Sequence, residues 1–115
     1  MSDVYTSAVE RLSRVAGVRG AMIVETDTAV PVVQELSEGV NGTAVAALAA
    51  SLYRRTSQAS EAAQFGALAT LQLDADDGHV VVVGAGELVL VVIAERSAQL
   101  GLVRLEAHRA AESIA

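Results

Sequence analysis

Between residues 67 and 95 the chain sets down three apolar runs, ALATLQLD, HVVVVGA and ELVLVVIAE, separated only by Asp76-Asp77-Gly78 and Gly84-Ala85-Gly86. Val-rich runs of this length, bounded by Asp-Gly and Gly-x-Gly, predict three consecutive strands joined by tight hairpins. The last run is apolar at every position from Leu88 to Ile93, which predicts a central strand buried on both faces. The middle run is nearly so. The first alternates Ala67, Ala69, Leu71 and Leu73 against Leu68, Thr70, Gln72 and Asp74, and its hairpin pairing uses one side only. That leaves a long, apolar edge in need of a partner strand.

The remaining segments supply cover for this sheet. Val4-Tyr5, Ala8-Val9, Leu12 and Val15-Ala16 recur at helical spacing, with Ser2 or Asp3 placed to cap the first turn and Gly17 to stop the helix. Residues 18–25 read as a strand, Thr26-Asp27-Thr28 as a turn, and 29–36 as a second strand. Pro31 cannot donate to a ladder, so this second strand belongs at a sheet edge. After the loop 37–42, where Asn41 or Thr43 can cap, residues 43–64 run without a helix breaker. One stripe of this long helix carries Val45, Leu48-Ala49, Leu52 and Thr56; another carries Ala46, Ala50, Tyr53 and Ser57. Its first half is apolar or small nearly all round, so it expects contact on more than one side. A closing helix spans about 98–114. The order is α-β-β-α-β-β-β-α, an α/β layered domain over 1–115 with a five-stranded sheet.

Composition excludes several functions. At 115 residues there is one ordinary core, and with no Cys there are no disulfides, thiolate metal sites or Cys nucleophiles. Net charge is -6, all basic residues are Arg, and only Tyr5, Tyr53 and Phe65 are aromatic. Nucleic-acid and anionic-membrane binding are therefore not expected. The N-terminus has no signal-peptide pattern, and the apolar run at 80–94 is too short to span a bilayer. A cytoplasmic protein is the expectation.

No catalytic, cofactor or metal constellation emerges. Gly84-Ala85-Gly86 lacks the third glycine and the following helix that a dinucleotide fingerprint needs, and reads as a hairpin turn. A chain without Lys has no P-loop. Asp74, Asp76 and Asp77 suit a solvated turn, being too few for calcium. His79 and His108 each stand alone in sequence. Arg54-Arg55 has three readings: a solvated helix face beside Gln58 and Glu61, a polar rim around an interface centred on Tyr53, or an arginine finger.

Three stretches, 15–24 (VAGVRGAMIV), 86–93 (GELVLVVI) and 100–104 (LGLVR), together with the segment order, resemble the roadblock/dynein light chain superfamily, in particular its MglB-like prokaryotic members. They look like the family's helix stop and opening strand, its central strand, and its Leu-Gly-x-x-Arg entry to the final helix. One departure is Thr26-Asp27-Thr28 in place of an Asp-Gly hairpin, which puts that turn's geometry in question. The resemblance implies a sheet ordered 2-1-5-4-3, with the long helix on one face and the terminal helices on the other. It further implies a homodimer in which third strands pair and long helices pack. On this chain that interface would fall on Ala46, Ala50, Tyr53, Ser57, Leu68, Thr70, Leu71, Gln72 and Leu73. Family members bind small Ras-like GTPases, some as activating or scaffold dimers, while others are adaptors or light chains of larger assemblies. A GTPase would meet Tyr53, Arg54, Arg55, Gln58 and Glu61. No enzyme activity and no cofactor is implied.

Overall fold

Five antiparallel strands form one sheet in the order β2-β1-β5-β4-β3, in a computed structural model that describes residues 3–115. The elements are α1 (Val4–Ser13), β1 (Val18–Glu25), β2 (Pro31–Leu36), α2 (Gly42–Ala62), β3 (Thr70–Ala75), β4 (Gly78–Ala85), β5 (Leu88–Ala94) and α3 (Leu100–Ile114). Central β5 is apolar on both faces because both are covered. Leu90 and Val92 meet α1 and α3, while Val89 and Val91 meet α2.

The two layers differ in depth. On one face Ala8, Val9 and Leu12 of α1 interleave with Val103, Ala107, Ala110 and Ala111 of α3 over Ala21, Ile23, Val81 and Val83. On the other, Ala46, Ala49 and Ala50 bring α2 close against Met22, Val24 and Val82. Small side chains let that helix lie near the sheet, but they leave its outer half without cover. Asp3 caps α1 by accepting from the Thr6 N–H at 2.8 Å, and Asn41 caps α2 by accepting from Ala44 at 3.1 Å. Ser2, the other candidate cap, lies outside the described residues.

Several boundaries depart from the sequence expectation. Helix α1 ends at Ser13 with Arg14 as its cap, and Gly17, at φ +85°, belongs to the turn that follows. Strand β2 begins at Pro31, because Ala29 takes φ +60° to close the first turn. Strand β3 begins at Thr70 and not at Ala67; Gly66, at φ +87°, redirects the chain before it. Gly84 is no turn residue either. It lies within β4, and a Cβ there would overlap the Tyr53 hydroxyl. The turn itself is Gly86-Glu87.

Candidate self-association and partner-binding surfaces

Strand β3 has one free side, and the hydrogen-bond pattern says which residues line it. The Gly84 N–H donates to the Ala69 carbonyl, and the register pairs Leu71 with Val82 and Leu73 with Val80. Hydrogen-bonded positions alternate in an antiparallel ladder, so Leu71 and Leu73 point their backbone groups at β4. Thr70, Gln72 and Asp74 point theirs outward, where no other strand lies among the described residues. Their side chains are held on the α3 face. The Thr70 Oγ1 lies 2.8 Å from His108 Nε2, Arg104 donates to Gln72 Oε1 at 2.7 Å, and Gln72 Nε2 donates to Asp74 Oδ1 at 2.9 Å. Leu71 lies on the opposite face and packs into the α2-side core. The edge is therefore stiffened by its own chain while its backbone groups stay free.

Helix α2 presents a different stripe from the one expected at an interface. Ala46 and Ala50 are 0% exposed beneath the helix, so they offer no surface to a second copy. The all-round small character of the helix left open which side the sheet would take. Outward lie Ala44, Ala47, Leu48 and Arg55, with Leu48 43% exposed. Tyr53 and Ser57 are intermediate in exposure. The Tyr53 hydroxyl donates to the Leu68 carbonyl at 2.8 Å, and burial pushes its pKa up. Leu68 lies outside β3, in the segment leading into it.

Toward its C-terminus α2 borders a shallow cleft of about 220 Å³ lined by Thr26, Asp27, Tyr53, Arg54, Ser57, Gln58 and Glu61. Arg54 Nη1 donates to the Asp27 carbonyl at 2.8 Å and to the Thr26 carbonyl at 3.3 Å. The guanidinium thus closes a turn that lacks the Asp-Gly sequence, and this engagement weighs against an arginine finger. Arg55, Gln58 and Glu61 remain exposed. Just beyond them stands Phe65, 86% exposed, which the sequence pattern marks only as one of the few aromatics. Its loop is ordered by local bonds: the Phe65 N–H donates to the Ser60 carbonyl, and Ser60 Oγ donates to the Gly66 carbonyl. The pattern Gln-Phe-Gly directly after a long helix was the available signal.

The acidic turn holds one ionisable contact of consequence. His79 Nδ1 lies 2.7 Å from Asp74 Oδ1, and its Nε2 lies 3.1 Å from the Arg96 carbonyl, with the side chain 13% exposed. Both partners are acceptors, so only the imidazolium can donate at each nitrogen. The hydrogen bond donated to Asp74, with a second to the Arg96 carbonyl, raises the His79 pKa; the bond from His79, aided by one from Gln72, lowers that of Asp74. A raised folded-state pKa means the His79 contribution is fully present below about pH 6.5 and is lost as pH rises through the folded value. Asp74 contributes above about pH 4, and its share is lost as pH falls through its lowered value. An NMR titration should place His79 above about 6.5 in the wild type, falling in Asp74→Asn. A His79 that titrates at or below the ordinary value in both would contradict the doubly bonded imidazolium.

Among the described residues no group of three or more His, Asp or Glu could hold a metal ion. The cleft of about 170 Å³ beside His108 has Glu112 as its one acidic side chain. No helix among them is long and apolar enough to cross a membrane. A family model described as Roadblock/LC7 domain matches residues 6–94. The uncharacterized protein MJ1340 of Methanocaldococcus jannaschii is 30% identical over 103 residues, covering 90% of each chain. MglB of Myxococcus xanthus is similar at a TM-score of 0.84 and 19% identity, over 96% of this chain and 89% of that one. An MglB in a tetrameric arrangement is similar at 0.84 and 22% identity, over 99% and 89%. At these identities the likeness to both MglB structures is one of fold.

Proposed function

This chain belongs to the Roadblock/LC7 domain family, and from that premise we propose a non-enzymatic, cytoplasmic homodimer that binds a small Ras-like GTPase and modulates its nucleotide cycle or localisation. Residues 1–115 act in this reading as one roadblock domain. The observation that carries it is a pair of uncovered features: the free edge of β3 and the outward row of α2. The first suits a second copy of the chain, since edge strands add strands. The second ends in Arg55, Gln58, Glu61 and the ordered, solvent-facing Phe65, and aromatic and Arg side chains are enriched at binding hot spots. Of the partner-facing residues expected from sequence, Tyr53 and Arg54 position the surface from beneath, while Arg55, Gln58 and Glu61 form its exposed part. A net charge of -6 directs the reading toward a protein partner rather than nucleic acid.

Titration against Ras-like GTPases of the same genome, loaded with GDP or a non-hydrolysable GTP analogue, tests this reading. Binding that prefers one nucleotide state is expected, with single-turnover hydrolysis measured alongside. Altered turnover supports an activating role and unaltered turnover a scaffold. Absence of binding in both states would leave only the adaptor role.

A further inference from the structure

The loop from Glu95 to Gln99, which carries the chain from β5 into α3, is held unlike the entries to the other helices. Asp3 and Asn41 cap α1 and α2 through their side chains, whereas Gln99 makes no side-chain cap and the first turn of α3 has no acidic residue. Backbone bonds fix the two ends of the loop. The Glu95 N–H donates to the Gly17 carbonyl at 2.8 Å, and the Ala98 N–H donates to the Glu95 carbonyl at 3.0 Å. Between them the Arg96 carbonyl lies 3.1 Å from a side chain of another strand, His79 of β4. We propose that His79 is a proton-operated latch, which as imidazolium fastens this loop to the β3–β4 hairpin and on losing its proton lets the loop go. The latch lies on the sheet face covered by α1 and α3, the face of Val81 and Val83, and stands apart from the partner-binding reading above.

One ring serves two acceptors, Asp74 Oδ1 at 2.7 Å from Nδ1 and the Arg96 carbonyl at 3.1 Å from Nε2. A neutral imidazole carries a single N–H and cannot serve both. The bond to the carboxylate is charge-assisted and the shorter, so the remaining proton stays on Nδ1. Nε2 then turns a lone pair toward a carbonyl oxygen, and the two repel. The hairpin keeps its other ties: Asp74 accepts from Gln72, Gln72 accepts from Arg104, and the β3–β4 ladder is untouched. The loop is therefore the part that moves.

The charged neighbours set the direction. Asp74 faces the ring from β3, Asp76 and Asp77 lie in the adjoining turn, Glu95 and Arg96 lie on the loop itself, and α3 contributes Arg104 through Gln72. The bond to Asp74, and then that to the Arg96 carbonyl, outweigh the opposing Arg96 guanidinium and raise the ring's pKa. The latch is closed below about pH 6.5 and opens as pH rises through the folded value. The same loop forms one wall of a groove of about 250 Å³, faced by Ala16 and Gly17 and lined by Leu102, which is 42% exposed. Proton loss at His79 thus sets how open that groove stands.

Amide NMR of the wild-type chain, at one protein concentration, reads the latch. The Ser97 N–H shares its peptide group with the Arg96 carbonyl, so its shift should move with the His79 ring at one common midpoint. The Ala98 and Val103 amides are bonded to the Glu95 and Gln99 carbonyls. Their protection factors should fall roughly tenfold or more as the ring deprotonates, while that of Ala50, buried within α2, holds. His79→Gln removes the titrating group and should make these readings flat from about pH 5 to 8. Asp74→Asn tests the proton count, because its amide can donate to Nδ1 and so leave the neutral ring an N–H for Arg96. Ala98 and Val103 should then stay protected at high pH. No change at Ala98 and Val103 across the wild-type His79 titration, or a drop in either variant as large as the wild type's, would overturn the proposal. Where a variant does not fold, the wild-type titration decides by itself.

Discussion

Replacing Gln72 with proline is expected to convert the proposed β3-paired dimer into a folded monomer. The Gln72 N–H points away from β4, so proline there removes no bond from the monomer's own ladder. Pro is tolerated on an edge strand whose missing N–H faces solvent, and it holds the preceding residue in the extended region that Leu71 already occupies. What the monomer loses is peripheral: the Gln72 side-chain bonds to Asp74 and Arg104, both exposed. The dimer loses far more. Each copy forfeits an outward donor at the seam and sets a ring against the other strand's backbone. Two lost bonds at about 0.5–1.5 kcal/mol each, before any steric term, weaken association by roughly ten- to a hundredfold. Sedimentation over a concentration series reads this directly, and far-UV circular dichroism with a melting curve checks the fold. Leu71→Asp is less informative, because Leu71 also packs into the α2-side core and its loss harms both states. A Gln72→Pro protein that self-associates as the wild type does would remove β3 from the proposed interface.

Local chemistry made much of this fold legible, and non-local contacts hid the rest. Strand β1 spans Val18–Glu25 as expected, because Gly17 and the Thr26 turn bracket one apolar run. The central place of β5 followed from its two apolar faces, and the edge place of β2 from Pro31. Strand β3 starts three residues later than the alternation predicts, since Ala67-Leu68-Ala69 continues the pattern while Gly66 turns the chain and Tyr53 takes the Leu68 carbonyl. Nothing in Gly84-Ala85-Gly86 announces that its first glycine makes room for an aromatic ring from α2. Arg54 likewise binds a carbonyl 27 positions away, which only the assembled hairpin brings near. Asp74 and His79, by contrast, face each other across a two-residue turn, so that contact follows once the hairpin register is known. On α2 the expected interface stripe and the actual outer row differ because a helix of small residues can seat either side on a sheet. Alanine at Ala46 and Ala50 is as apt for close sheet packing as for helix pairing.

Tyr53→Ala and the pair Arg55→Ala with Phe65→Ser should separate stability from partner binding. Tyr53 is half-buried over Gly84 and bonded to the Leu68 carbonyl, so truncation empties the space that Gly84 provides and orphans that acceptor. Full burial of such a ring would put the loss at about 3–5 kcal/mol; partial exposure brings it to roughly 2–4 kcal/mol. A melting point lower by roughly ten degrees is expected, and partner binding falls with it as the surface loosens. The exposed pair behaves in the opposite sense. Arg55 and Phe65 leave no core contact behind, and surface substitutions of this kind shift stability by about 0.5 kcal/mol or less. At an interface, loss of an aromatic anchor costs about 2 kcal/mol or more, so partner affinity should drop at least ~30-fold while the melting curve stays in place. Melting and GTPase titration on the same preparations read both quantities. If the exposed pair binds at wild-type strength, the partner docks away from the C-terminal end of α2, and Phe65 needs another cover. If Tyr53→Ala melts with the wild type, the ring is not what holds the β3 approach to the helix, and the reading of Gly84 as its seat fails with it.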